Sequence, residues 1–130
     1  MKVAFVSDDG LHISPHFGRA TLYVVFTVEE GRVVGKEVRP KPGHRDFMGE
    51  PDAHGAGRHG YGPGAEERHD RMFRPISDCD YLVAGGMGWG AYEGLRAKGI
   101  KPIVTDVEGI EEAMSLFLEG RLKNLMERVH

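Results

Sequence analysis

The sequence predicts an α/β fold, a mixed five-stranded sheet flanked by helices. Three observations lead there. Two stretches rich in β-branched residues meet across a short Glu-Glu-Gly turn near the start of the chain. Strand and helix patterns then alternate through its second half, which requires parallel strands joined by crossovers. Finally, Ile110, Ala113, Met114, Phe117 and Leu118 repeat at the i, i+3, i+4, i+7, i+8 spacing of an amphipathic helix. A hairpin-linked half joined to a β-α-β half gives a sheet of the ribonuclease H type.

Each element can be justified in order. KVAFVS (2–7) is an apolar run stopped by Asp8, Asp9 and Gly10, and reads as a strand. The stretch 11–20 holds Pro15 and Gly18 and reads as a structured loop. TLYVVFTV (21–28) and RVVGKEVR (32–39) are strands on either side of a hairpin turn. From about 40 to 65 there is no periodicity, and seven glycines stand beside Pro42, Pro51 and Pro63. A flexible His/Gly-rich loop is expected there, because so little apolar surface does not offset the backbone entropy of ordering it.

Helical spacing resumes over 66–77, with Met72, Phe73 and Ile76 facing a core and Pro75 disturbing the end. DYLVAGG (80–86) is a strand, WGAYEGLRAKG (89–99) a helix closed by Gly99, and KPIVT (101–105) a further strand. The helix over 110–118 ends at Gly120. Leu122, Leu125, Met126 and Val129 suggest a last short helix.

Bulk properties narrow the function. A chain of 130 residues, 40% hydrophobic, fits one domain spanning 1–130. A net charge of −3 without a basic stripe gives no case for nucleic acid. No window approaches the apolar length of a membrane span, and the opening run is too short for a signal peptide, so a cytoplasmic protein without membrane contact is expected. One cysteine, Cys79, excludes an intrachain disulfide and a four-thiolate iron–sulfur site within one chain.

Several constellations carry chemistry. The turn GGMGWG (85–90) passes from a strand to a helix, where free N–H groups favour anions. Its G-x-G-x-x-A pattern lacks the third glycine and the first-strand position of a dinucleotide fingerprint, so a tight turn with or without an anion is the reading. Asp8, Asp9, Asp78, Asp80 and Asp106 do not converge in this topology as a two-metal site needs, and read as caps and turns. Cys79 beside acidic neighbours reads as a small buried residue. In SPHFGRA (14–20), Phe17 plugs the core, while His16 and Arg19 are not needed for a turn; an imidazole can ligate a metal and a guanidinium can pair with an anion. His44, His54, His59 and His69 are spaced too widely for a compact zinc motif. A loop that folds around a ligand, or a solvated loop with incidental histidines, are both open.

The runs SPHFGRA, DCDYLVAGGMGWGAYEGL and GIKPIVTDVEGIEEAMSLFLEGRL resemble the dinitrogenase iron–molybdenum cofactor biosynthesis accessory family, the NifX/NifB-type domain. The chain is similar to its short stand-alone members. The resemblance implies a ribonuclease H-like sheet without nuclease activity, and non-covalent binding of an iron–sulfur or molybdenum–iron–sulfur cluster as transient cargo. By resemblance, His16 and Arg19 carry over from one motif, and Cys79, Gly85, Gly86 and Gly88 from the other, as cluster-binding residues. His54, His59 and His69 correspond more loosely to a histidine-bearing loop of relatives and would be metal ligands. The expectation is a carrier and not an enzyme, with cluster donor and acceptor proteins as partners. The alternative is a small-molecule or metal-ion sensor of the same fold.

Overall fold

The computed structural model describes residues 1–42 and 69–130. The flexible loop expected near 40–65 therefore falls, from residue 43 onward, outside the described residues, as do His44, His54 and His59. Among the described residues five strands form one sheet: β1 (Lys2–Ser7), β2 (Leu22–Glu29), β3 (Arg32–Pro40), β4 (Tyr81–Ala84) and β5 (Lys101–Val104). Their spatial order is β3-β2-β1-β4-β5. β2 runs antiparallel to both β1 and β3, while β1, β4 and β5 are mutually parallel. The sheet is mixed, as the sequence predicts.

β1 is central because both of its faces are apolar. Ala4 and Val6 point into one core, and Val3 and Phe5 into the other. β2 divides in the same way: Tyr23 and Val25 join the first core, Val24, Phe26 and Val28 the second. The hairpin turn between β2 and β3 places both Glu30 (φ 54°) and Gly31 (φ 76°) in the left-handed region, as a two-residue turn matched to strand twist requires. β3 is a solvent-facing edge with Val33, Val34 and Val38 exposed.

Helices cover both faces. On the first lie the helical residues 69–73, a single 3-10 turn at Arg74–Ile76 and the helix α1 (Trp89–Ala97). Phe73, Ile76, Tyr92 and Leu95 fill that core. Phe73 packs against α1 at Gly94, where a β-carbon would come within 2.8 Å of its ring. The helix expected over 66–77 thus gives way to a 3-10 turn around Pro75, which supplies no backbone N–H to continue an α-helix. α1 ends at Gly99 (φ 81°), with Ile100 N–H reaching back to Leu95 O (3.0 Å). On the second face, α2 (Ile110–Leu118) buries Ile110, Ala113 and Met114 and sets Phe117 edge-on to Tyr81.

The last helix expected from Leu122, Leu125, Met126 and Val129 does not form; only a 3-10 turn at Met126–Arg128 is present. The main chain there bonds elsewhere. Leu125 N–H donates to Val104 O (2.7 Å), and His130 N–H donates to Met87 O (2.9 Å). The apolar spacing that suggests one helical face instead serves two sides. Leu122 packs beneath α2, Val129 enters the first core, and Met126 stays exposed. This segment also guards the β5 edge. Pro102 offers no outward N–H, and Val104 N–H is taken by Asn124 Oδ1 (2.9 Å).

Candidate functional site

Because β1 and β4 are parallel, their C-terminal ends open on the same side of the sheet. β2, antiparallel to β1, begins there. The loop after β1 and the glycine turn after β4 are therefore neighbours. Gly85 N–H donates to Ser14 O (2.9 Å), and Phe17 N–H donates to Gly86 O (3.0 Å). Two glycines make this approach possible. A β-carbon on Gly85 would lie 2.8 Å from Pro15 Cα, and one on Gly86 would lie 2.7 Å from Pro15 O. Gly88 differs: it is the extended N-cap of α1, and a β-carbon there would meet only His130 O at 3.7 Å.

The loop buries Phe17 and leaves His16 and Arg19 exposed. Phe17 packs against Phe73 (centroids 5.9 Å apart), and Lys41 Nζ sits 4.6 Å above its ring. Phe17 thus holds the loop down while its neighbour His16 faces outward. α1 starts beside this loop without a side-chain cap, and its first internal bond is Tyr92 N–H to Gly88 O (3.1 Å). The preceding N–H groups of that first turn have no intrahelical acceptor.

His69 belongs to the same end of the sheet. Its ring stacks on Phe73 (5.8 Å, 15°), and a β-carbon on Gly90 would lie 3.1 Å from its Cε1. The imidazole is therefore held against the first turn of α1, half-buried.

Cys79 stands elsewhere. It precedes β4, at the end of the strand opposite Gly85, and six extended residues span roughly 20 Å. The thiol is buried and its pKa is pushed up to about 12, chiefly by burial and then by the adjacent Asp78 carboxylate. The structure sets the loop that carries His16 and Arg19 beside the turn of Gly85, Gly86 and Gly88, holds His69 against the start of α1, and leaves Cys79 on the far side.

The aspartates divide in the same way. Asp8 Oδ1 accepts from Thr21 N–H (3.1 Å), and Asp9 accepts from Leu11 and His12 N–H, both at the C-terminal end of β1. At the other end, Asp78 pairs with Lys2 (3.0 Å) and Arg39 (2.7 Å), and Asp80 accepts Lys2 N–H (2.9 Å). Arg39 holds the Asp78 carboxyl well below the usual carboxylate range. Among the described residues, no group of three or more His, Cys, Asp or Glu side chains is placed to hold a metal ion. No helix among them is long and apolar enough to cross a membrane.

Two residues at this site have no motif to announce them. Arg128 Nη1 donates to Gly85 O (3.3 Å), and His130 is anchored on Met87 beside Gly88. The short terminal helix expected from Leu122 to Val129 takes in Arg128, stops before His130 and gives neither a role.

Comparison with known proteins identifies the class. The family model described as "Dinitrogenase iron-molybdenum cofactor" matches residues 1–120, and the chain belongs to that family. It is 26% identical over 123 residues to an uncharacterised protein of Methanocaldococcus jannaschii, covering 95% of this chain and 90% of that one. The crystal structure of PH0822 superposes with a TM-score of 0.68 at 25% identity, covering 96% of each chain. The apo form of the orange protein from Desulfovibrio gigas superposes with a TM-score of 0.66 at 22% identity, covering 95% of this chain and 92% of that one, a likeness of fold.

Proposed function

We propose that this protein is a non-catalytic carrier that binds an iron–sulfur or molybdenum–iron–sulfur cluster as transient cargo during cofactor assembly. The observation that carries the reading is the convergence at one sheet end of exposed His16 and Arg19 with the uncapped start of α1 at Gly88. A metal–sulfur cluster is anionic and brings its own sulfide. It needs few protein donors and must be released. An imidazole can supply one replaceable ligand, a guanidinium a charge-assisted contact, and backbone N–H groups a diffuse positive field. His69, against the first turn of α1, and the loop histidines His54 and His59 would add ligands. Cys79, buried with a raised pKa, is left out of this ligand set.

Family membership supports the link to the dinitrogenase cofactor. The strand order β3-β2-β1-β4-β5 with an antiparallel β2 supports a ribonuclease H-like assignment. Asp8, Asp9 and Asp106 follow the C-terminal ends of β1 and β5, Asp78 and Asp80 lie at the opposite end, and Asp8 and Asp9 accept loop N–H groups, which supports turn and cap roles over a two-metal nuclease site. The setting would be the cytoplasm, with cluster donor and acceptor proteins as partners.

The test is anaerobic reconstitution of the full chain with iron, sulfide and molybdate, followed by desalting. The expected result is retained metal and sulfide with visible charge-transfer absorption, both lowered in His16→Ala. A protein that emerges colourless and metal-free overturns the reading.

A further inference from the structure

The family match ends at residue 120, yet the last three of the ten residues that follow lie against the glycine turn of the candidate site. They are firmly attached. Asn124 and Leu125 bond to both backbone groups of Val104, Val129 is buried in the first core and bridges Met87 in parallel register, and His130 N–H bonds to Met87 O. Arg128 stands between these anchors. Its backbone approaches Gly86 from one side while Pro15 approaches from the other. A β-carbon on Gly86 would lie 3.7 Å from Arg128 O and 2.7 Å from Pro15 O. The backbones of Pro15, which precedes His16, and Arg128 therefore both lie against the same glycine.

We propose that residues 124–130 form a strap that delivers Arg128 to the cargo site as a second anion-binding guanidinium beside Arg19. The proposal rests on the cluster-carrier reading and adds a binding residue outside the span of the family match.

The chemistry of the contact supports it. Arg128 is exposed, and among the described residues its one side-chain bond is to a carbonyl, Gly85 O. A carbonyl orients a guanidinium without cancelling its charge, and the remaining N–H donors stay available. Lys2, Lys36, Arg39 and Arg121 instead spend their charge on carboxylates. Among the described residues neither Arg19 nor Arg128 has such a partner. A guanidinium held at the Gly85 carbonyl, next to the loop that carries Arg19, suits a metal–sulfide dianion.

The experiment uses tetrathiomolybdate alone as the probe, titrated anaerobically into the full chain and followed by its visible absorption. Arg128→Gln, which retains a donor for Gly85 O, is expected to bind about tenfold more weakly than wild type, the loss of one charge-assisted contact at a partly screened site. Lys123→Gln, a charge change on the same segment, is expected to stay within twofold. Arg128→Gln binding within twofold of wild type overturns the role of Arg128 and leaves the carrier reading standing. Wild-type protein that binds no tetrathiomolybdate overturns both.

A second measurement needs no variant and decides the matter if Arg128→Gln fails to fold. Arginine-selective dicarbonyl labelling of wild type, mapped by mass spectrometry, is expected to show Arg128 at least fivefold protected by bound tetrathiomolybdate. Equal labelling with and without the probe overturns the proposal.

Discussion

Pro15 lies against Gly85 with no space for a side chain between them: a β-carbon on Gly85 would sit 2.8 Å from Pro15 Cα and 3.0 Å from Ser14 O. Both obstacles are backbone, and the loop that carries them is fixed by Gly85 N–H to Ser14 O and Phe17 N–H to Gly86 O. Gly85→Ala and Gly86→Ala must therefore push the His16 loop away from the sheet end. Each is expected to cost about 1–3 kcal/mol, as overpacking does, and to weaken cargo binding as well. Gly88→Ala meets nothing closer than 3.7 Å and should stay within about 0.5 kcal/mol of wild type. Thermal melts of the three variants check this; equal effects at all three would show that the Pro15 contact yields freely.

His16→Ala should separate function from folding. The ring is exposed, and the loop is held by Phe17 against Phe73 and by the backbone bonds of Phe17, Arg19 and Ala20. The expected outcome is lower cargo retention with a change in stability of no more than about 0.5 kcal/mol. Phe17→Ala should do the reverse first, costing about 3–5 kcal/mol as a large core truncation. A large fall in Tm for His16→Ala would assign the imidazole to the fold.

Cys79 should behave as an inert thiol. With its pKa near 12, about a thousandfold fewer thiolates exist at pH 8 than for a thiol at its ordinary value of 9.0, and only the thiolate attacks. Alkylation by iodoacetamide at pH 8 is expected to be slow in the folded protein and fast in denaturant. Cys79→Ser should leave cargo binding within twofold of wild type. Rapid labelling of the native protein, or loss of cargo in Cys79→Ser, would bring the cysteine back into the ligand set.

The sheet was legible in the sequence because its signals are local and redundant. The apolar run of Val3 to Val6 stopped by Asp8, Asp9 and Gly10 marks a strand, though not its central place, and the Glu30-Gly31 turn fixes the neighbouring hairpin. The same holds for α1, closed by Gly99, and for α2. What escaped was tertiary. Gly85, Gly86 and His16 read as motif residues, but their adjacency follows from the parallel pairing of β1 with β4, which no local pattern encodes. Cys79 lies six residues before Gly85, close in sequence and about a strand's length away in space. The terminal segment was misread because Leu122 and Val129 happen to fall at helical spacing while serving opposite faces of the sheet. Competition from Val104 and Met87 for its backbone groups decided its form.

The final prediction concerns Asp9 and His12, an exposed pair at the C-terminal end of β1. Asp9 Oδ1 is fixed by N–H groups of Leu11 and His12 (both 2.8 Å), which leaves Oδ2 aimed at His12 Nδ1 (2.6 Å). The hydrogen bond and charge of Asp9 raise the His12 pKa above its ordinary 6.5, with Glu108 adding a smaller push in the same direction. The bond from His12 in turn holds the Asp9 carboxyl well below the usual range. The signs follow. His12 binds its proton more tightly in the folded chain, so its contribution to stability is full below pH 6.5 and is lost as the pH rises through the higher folded value. The Asp9 contribution is present above the ordinary carboxylate range and is lost only in strong acid. Both groups are exposed, so the effect on overall stability is small, and a site-resolved titration is the appropriate measurement. The His12 Cε1–H signal, assigned by its absence in His12→Gln, should titrate above pH 6.5 in wild type. It should move back towards 6.5 in Asp9→Asn, and part of the way in 1 M salt, where the Debye length falls to about 3 Å. A wild-type midpoint at or below 6.5 would mean that the pair does not persist in solution.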